Sequence, residues 1–333
     1  MNLLIILSTK IGKAILVVYL LSFCGWVSAQ TPASSPEPSE PRSVTLPLIV
    51  ISNEKRSIDD LNKDDIQLSE NGVAQTVATL SLDTRPIDYA VAIDTSGSFR
   101  NLLPYAIAAA KVLFQSNRSE DETFLERFIS SDKIETVQEF TSDRLLLLKA
   151  ADQLYVEGGQ SAVVDAVYLA ALHVAGHHDG HDHRRAVILI SDGEDRASYY
   201  SSDKLIEWLR VKDVQVFAIG IVAQLDKQGI TINARSKAQQ LLNRLAAESG
   251  GRAFFPNTVT DLNEALNEIV HDLHKQFLVS YQPTNSGKEN FQKTQVTIRE
   301  IPERPKLTAI TKTGYFINPP KVDPKPDKKK KSS

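Results

Sequence analysis

The chain has 333 residues, of which 42% are hydrophobic and 24% charged, and its formal net charge is −3. That length suits one large domain plus a smaller one, or two comparable domains, and the apolar share is enough for a sizeable core. A slightly acidic balance excludes the basic character of a nucleic-acid-binding chain.

Residues 1–29 carry Lys10 and Lys13 and no acid, then a mostly apolar run over 14–23, then Val27-Ser28-Ala29. A positive region, a short apolar stretch and a small-x-small end predict a signal peptide cleaved after Ala29, and therefore a periplasmic or secreted protein. The rival reading is a retained anchor, the only route to membrane attachment that the sequence offers. Its apolar run is shorter than the ~20 residues a spanning helix needs. The single cysteine, Cys24, lies in this leader behind Phe23, where a lipoprotein signal needs a small residue. A mature chain without cysteine is held by its core and not by disulfides.

Residues 30–43 are rich in Pro, Ser and Glu and predict a flexible linker. Residues 44–84 read as short strands, with Asn71-Gly72 between alternating runs as a hairpin signal. From Ile87 the pattern changes. Residues 87–94 (IDYAVAID) form a compact apolar strand ending on an acid, and residues 102–115 follow at helical spacing. Two strands over 124–129 and 134–140 predict a hairpin, and helices are expected over 144–155 and 161–174. Residues 184–192 (RRAVILISD) make a second buried strand ending on an acid. A helix over 203–210, a strand over 214–222, a helix over 236–249, a short strand over 253–255 and a helix over 262–275 complete the series.

Buried strands alternating with helices predict a doubly wound, mostly parallel α/β sheet over 85–275. Asp94 and Asp192 would then share the carboxyl edge, where ligands bind in such sheets. Strand patterns return over 277–281, 294–299 and 307–311. The expectation is a small accessory β-domain built from 44–84 and 276–317, with the α/β domain inserted in it. The Pro- and Lys-rich residues 318–333 predict a solvated tail.

The loop Asp94-Thr95-Ser96-Gly97-Ser98 offers one carboxylate and two hydroxyls from alternate residues just past a strand. Hard divalent cations such as Mg²⁺ favour oxygen ligands and retain waters. With few charges in the loop, such an ion stays electron-poor and accepts an anionic oxygen from outside.

This Asp-x-Ser-x-Ser pattern resembles the metal-ion-dependent adhesion site of von Willebrand factor A domains. Gly158-Gly159-Gln160-Ser161-Ala162-Val163-Val164-Asp165 is similar to the second element of that family, with Ser161 in the place of its threonine. Ile190-Ser191-Asp192-Gly193 is similar to the third, an Asp-Gly after a buried strand. The lead-in Leu61-Asn62-Lys63-Asp64-Asp65-Ile66, Glu70-Asn71-Gly72, the run Thr141-Ser142-Asp143-Arg144, Gly251-Arg252-Ala253-Phe254-Phe255 and Gly314-Tyr315-Phe316 resemble a group of exported bacterial proteins with such domains, over about 44–316. The resemblance implies a metal site of Ser96 and Ser98 as direct ligands, Ser161 direct or through water, and Asp94 and Asp192 acting mainly through waters. The metal would be Mg²⁺, or Mn²⁺ or Ca²⁺, and the partner a protein presenting an Asp or Glu carboxylate. It implies no enzyme activity and no defined partner. Serine in place of threonine keeps the hydroxyl but loses the methyl that restricts its rotamers.

Three other readings stand beside this one. Asp94 alone would be an ordinary strand-end acid capping a helix, and a second alternative is a purely structural module whose metal loop is vestigial. A phosphatase of the haloacid dehalogenase type also starts from a strand-end Asp, but needs a second acid where Ser96 stands. The stretch from His173 to His183 holds five of the seven histidines. An exposed, solvated loop is the expectation there, and transition-metal binding is the alternative. Glu194 and Asp195 are expected to solvate the rim. Tyr199-Tyr200 are expected either to be exposed beside the site or to pack on a helix.

Overall fold

Strand periodicity and turn chemistry set the order of the elements. Five short strands come first: β1 (Val44–Ser52), β2 (Ser57–Ile58), β3 (Ile66–Glu70), β4 (Val73–Gln75) and β5 (Val77–Leu82). Next are β6 (Ile87–Asp94), α1 (Leu103–Ser116), β7 (Glu122–Ser130), β8 (Lys133–Thr141), α2 (Arg144–Asp152) and α3 (Val163–Gly176). The series continues with β9 (Arg184–Ser191), α4 (Ser202–Lys212), β10 (Gln215–Gly220), α5 (Ala234–Ser249), β11 (Ala253–Phe254) and α6 (Val259–Lys275). It closes with β12 (Phe277–Tyr281), β13 (Phe291–Ile298), β14 (Leu307–Ile310) and β15 (Gly314–Phe316). This computed structural model describes residues 43–178, 182–223, 225, 233–284, 289–300, 302 and 304–321. The leader with Cys24, the linker up to residue 42, His181 and residues 322–333 lie outside the described residues.

Six strands form the central sheet in the order β11-β10-β9-β6-β7-β8. All neighbours are parallel except the β7–β8 hairpin. Every residue of β6 is buried, as a strand flanked on both edges and covered on both faces requires. Its two faces differ in size. Ile87, Tyr89, Val91 and Ile93 enter a core shared with α1 and α6. Ala90 and Ala92 meet the Ala-rich face of α3 (Ala166, Ala170, Ala171), where small side chains on both partners let helix and sheet approach closely. The chain leaves β6 through α1 for β7 on one side, and later passes through α3 to β9 on the other. Strand order therefore reverses beside β6, which opens a crevice at its carboxyl end.

The remaining strands form two antiparallel sheets, β14-β1-β12-β5 with β2 paired to β1, and β15-β13-β3-β4. Long-range pairs set their register, such as Leu46 opposite Val279 and Val296 opposite Leu68. Asn71 and Gly72 link β3 to β4 with φ of 51° and 82°, the left-handed pair that a two-residue hairpin demands. Leu46, Leu48, Leu68, Val279 and Tyr281 share a core, while Ile49 points the other way into the core of the central sheet. A buried polar joint ties these strands to the helices. The Arg252 guanidinium donates to Asp272 at 2.8 Å and to the Lys55 carbonyl at 2.6 Å, and the Ser57 hydroxyl donates to Asp272 at 2.6 Å.

Several helix boundaries differ from the sequence reading by two or three residues. Helix α2 stops at Asp152 rather than near Tyr155, because Gln153 and Leu154 turn back onto the Ala150 and Ala151 carbonyls. Helix α3 begins at Val163, after Ala162 adopts a non-helical φ/ψ of −119°/71°. Ser161 is thus a loop residue ahead of the helix, not part of it.

Candidate functional site

Asp94 ends β6 at the crevice and is fully buried. Three donors converge on its carboxylate. The Ser96 amide donates to Oδ1 at 3.0 Å, and the hydroxyls of Ser161 and Ser191 donate to Oδ2 at 3.0 and 2.7 Å. Ser96 starts a short 3₁₀ turn over Gly97–Phe99, which turns the chain so that its hydroxyl lies 3.2 Å from that of Ser98. The turn is tied to its surroundings through Thr95. Its amide and hydroxyl both donate to the Phe128 carbonyl, and its own carbonyl accepts from the Glu157 amide at 3.0 Å.

Asp192 follows β9, the parallel neighbour of β6, and is 2% exposed. Its Oδ1 accepts from the Glu194 amide at 3.0 Å, and the nearby Ser98 side chain pulls its carboxyl back toward the ordinary range. Gly193 turns the loop with φ of 77°, a conformation glycine adopts without a Cβ penalty. Ser161 closes the ring from the third segment. Besides reaching Asp94, its carbonyl accepts from the Arg196 and Ala197 amides at 2.9 and 3.1 Å, which fastens the Asp192 loop to the start of α3. All five residues singled out in the sequence therefore meet in one connected cluster.

Burial dominates the electrostatics. It raises the Asp94 carboxyl above the usual carboxylate range against the pull of its hydroxyl and amide donors. Burial, and then the negative charge of Asp94, lifts Asp192 to about 6. Among the described residues no lysine, arginine or histidine forms an ion pair with either carboxylate. Two neighbouring buried acids with no base in ion-pair contact, Arg196 being paired to Glu194 instead, favour a bound cation. The oxygens suit a hard one. In an octahedron with metal–oxygen distances of 2.0–2.1 Å, adjacent ligands lie about 3 Å apart, close to the spacing of the Ser96 and Ser98 hydroxyls.

Residues around the cluster have structural duties. Asp165, fully buried in α3, accepts from the Tyr199 and Tyr200 amides at 2.8 and 2.9 Å and so holds the far end of the Asp192 loop. Asp195 does not simply solvate the rim, because it accepts from the Ser198 hydroxyl at 2.5 Å and the Val164 amide at 3.5 Å at the start of α3. Glu194 pairs with Arg196. Of the two tyrosines, Tyr200 packs on Tyr168 with ring centroids 4.6 Å apart, whereas Tyr199 is 48% exposed. Ser191 is the residue the sequence reading missed. It bridges Asp94 Oδ2 and the Gly193 amide. Its only signal was a hydroxyl at the last position of a strand whose other residues are mostly apolar.

The model of the von Willebrand factor type A (VWA) domain matches residues 88–271. The chain belongs to the VWA domain family. Its doubly wound sheet with helices on both faces is the VWA fold. Domains of this family are generally interaction modules rather than enzymes. Comparison with curated proteins gives no match. Among solved structures, the chain is similar to a VWA protein from Catenulispora acidiphila at 12% identity, with a TM-score of 0.47, covering 84% of this chain and 76% of that one. It is similar to BatB from Bacteroides thetaiotaomicron at 17% identity, with a TM-score of 0.45 and coverage of 56% and 98%. It is also similar to the manganese-loaded TRAP protein of Plasmodium vivax at 17% identity, with a TM-score of 0.43 and coverage of 75% and 99%. The family assignment rests on the matched 88–271 segment.

Proposed function

We propose that this VWA chain is an exported, non-enzymatic binding protein that captures a carboxylate of a protein partner through a divalent metal at the Asp94 cluster. The observation that carries the reading is the buried Asp94–Asp192 pair at the carboxyl edge of the sheet, ringed by hydroxyls and with no base in ion-pair contact among the described residues. Ser96 and Ser98 present two hydroxyl oxygens side by side, and Ser161 offers a third from the start of α3. Asp94 and Asp192 supply negative charge, and Asp94 orients the Ser161 hydroxyl through a hydrogen bond. Mg²⁺ is the favoured ion, with Mn²⁺ or Ca²⁺ as substitutes. When bound, it supplies a positive charge with a coordination position open to an external carboxylate.

The reading places the VWA domain at residues 85–275, inserted in a β-domain of residues 44–84 and 276–317. It also takes residues 1–29 as a leader that exports the chain. Among the described residues no helix is long and apolar enough to cross a membrane.

Thermal unfolding of the mature chain tests the site. At Mg²⁺ a hundredfold above its dissociation constant, binding adds about 2.7 kcal/mol, so the melting temperature rises by several degrees. Asp94→Ala removes that rise whatever it does to the metal-free baseline. A parent chain indifferent to millimolar Mg²⁺ and Mn²⁺ contradicts the proposal. So does partner capture that survives Ser96→Ala with Ser98→Ala, which would mark the loop as vestigial.

A further inference from the structure

Three of the described histidines in the stretch, His177, His178 and His183, are held against acids of the central sheet rather than free in solvent as the composition predicts. His177 ends α3, and its Nε2 lies 2.5 Å from Glu122 Oε2 at the start of β7. Its ring stacks on Phe140, with centroids 3.8 Å apart and planes within 5°. His178 Nδ1 lies 3.1 Å from Asp88 Oδ2, and His183 Nδ1 lies 3.0 Å from Asp88 Oδ1. Asp88 is fully buried near the start of β6, directly opposite Glu122 in the parallel register. One ligand atom from each of Asp88, Glu122, His177 and His178 lies within 4.8 Å of all the others. His178 adopts a φ of 43°, a left-handed backbone that non-glycine residues rarely take, in the turn that delivers its ring to Asp88.

We propose that Asp88, Glu122, His177 and His178 form a second metal site, selective for a borderline divalent transition metal, with zinc foremost. The donor set is two imidazole nitrogens and two carboxylate oxygens. That mixture suits Zn²⁺ and its neighbours and not Mg²⁺ or Ca²⁺, which prefer oxygen alone. Tetrahedral zinc with bonds of about 2.0–2.2 Å holds its ligands about 3.4 Å apart. The His177–Glu122 and His178–Asp88 pairs, at 2.5 and 3.1 Å, are closer than that spacing, and no pair of ligand atoms is more than 4.8 Å apart, so closing the site asks for small side-chain rotations. Zn²⁺ takes its carboxylate ligands ionised and its imidazole ligands neutral, so the charge of the ion matches the two carboxylates it would meet there. His183 is then a positioning residue that fixes the second oxygen of Asp88, the usual role of a group hydrogen-bonded to a ligating carboxylate.

Two of the four groups sit on rigid neighbouring strands and two at the carboxyl end of α3. An ion there pins that helix end to β6 and β7. Asp88 and Asp94 are six residues apart on one strand, roughly 20 Å. The two sites thus lie at opposite edges of the sheet and are separately testable.

Calorimetric titration of the tag-free full chain with ZnCl₂ is the experiment. The parent takes up one tightly held Zn²⁺. Losing even a supporting partner of a metal ligand weakens binding tenfold to a hundredfold, so His177→Ala with His178→Ala weakens it by at least about a hundredfold. Asp94→Ala leaves it unchanged, which separates this site from the Mg²⁺ cluster. Glu122→Gln, a near-isosteric change on a partly exposed side chain, serves as a second variant if the double variant fails to fold, and it also loses affinity at least tenfold. Co²⁺ added to the parent gives the intense visible bands of a four-coordinate ion, and these disappear in the variants. A parent that binds no Zn²⁺ overturns the proposal, as does equal affinity in parent and variants; either result leaves a hydrogen-bonded histidine–acid cluster without metal.

Discussion

Glu126 lies in the middle of β7, opposite Ala92 of β6 and 1% exposed, and its Oε1 has no hydrogen-bond partner among the described residues. Burial alone drives its carboxyl well above the usual glutamate range. The consequence for stability has a definite sign. Below the unfolded value near 4.5, both folded and unfolded chains carry the proton and the group is neutral in its effect. As pH rises above that value, the unfolded chain releases the proton while the folded chain keeps it, and the fold loses stability. The loss levels off once the folded carboxyl has ionised as well. Glu126→Gln removes the titration, so its advantage over the parent is small at pH 4 and grows toward neutrality. Glu126→Met removes the unmatched polar atom too. An unsatisfied buried group costs about 1–3 kcal/mol, so Met at this position stabilises by about that amount near neutral pH, worth several degrees of melting temperature for a chain of this size. Urea unfolding of parent, Gln and Met variants from pH 4 to 8 measures both effects. A Gln-minus-parent difference that does not change with pH, or a Met variant less stable than the parent at pH 7, refutes the reasoning.

Two further perturbations test how the site is held. Arg252→Ala takes the guanidinium from buried Asp272 at the joint between β2 and α6 and leaves it the Ser57 hydroxyl and His271; breaking a buried pair costs up to about 3–5 kcal/mol, read as a lower urea midpoint. Asp165→Ala strips the Tyr199 and Tyr200 amides of their acceptor. The fold should lose about 2–4 kcal/mol for two unmatched donors, and the Mg²⁺-induced rise in melting temperature should shrink, because the Asp192 loop loses its far anchor.

The positions of the acids were legible because local pattern sets them. An apolar run that ends in Asp places that carboxylate at a strand end, and both Asp94 and Asp192 arrived there. Ser161 was read as helical since Ala and Val continue the helical pattern backwards. What places it in the loop is tertiary, namely the three hydrogen bonds by which its hydroxyl and carbonyl tie Asp94 and the Asp192 loop together. Ser191 carried too little signal, since one polar residue at the end of an apolar strand has no periodicity to expose it. The histidines were misread because composition cannot see across the sheet. Asp88 and Glu122 are 34 residues apart in sequence and become neighbours only through the β6–β7 register. The same holds for β1, whose pairing with β12 joins segments more than 200 residues apart, a distance at which alternation predicts a strand but not its partner.

The central claim is that oxygens from β6, the start of α3 and the end of β9 share one divalent ion. Anomalous diffraction from crystals of the mature chain equilibrated with Mn²⁺ tests it most directly. A shared ion gives a strong manganese peak about 2.0–2.3 Å from the hydroxyl oxygens of Ser96 and Ser98, enclosed by Ser161, Asp94 and Asp192 and absent in Asp94→Ala. Saturating Mn²⁺ that leaves no peak among these five residues contradicts it.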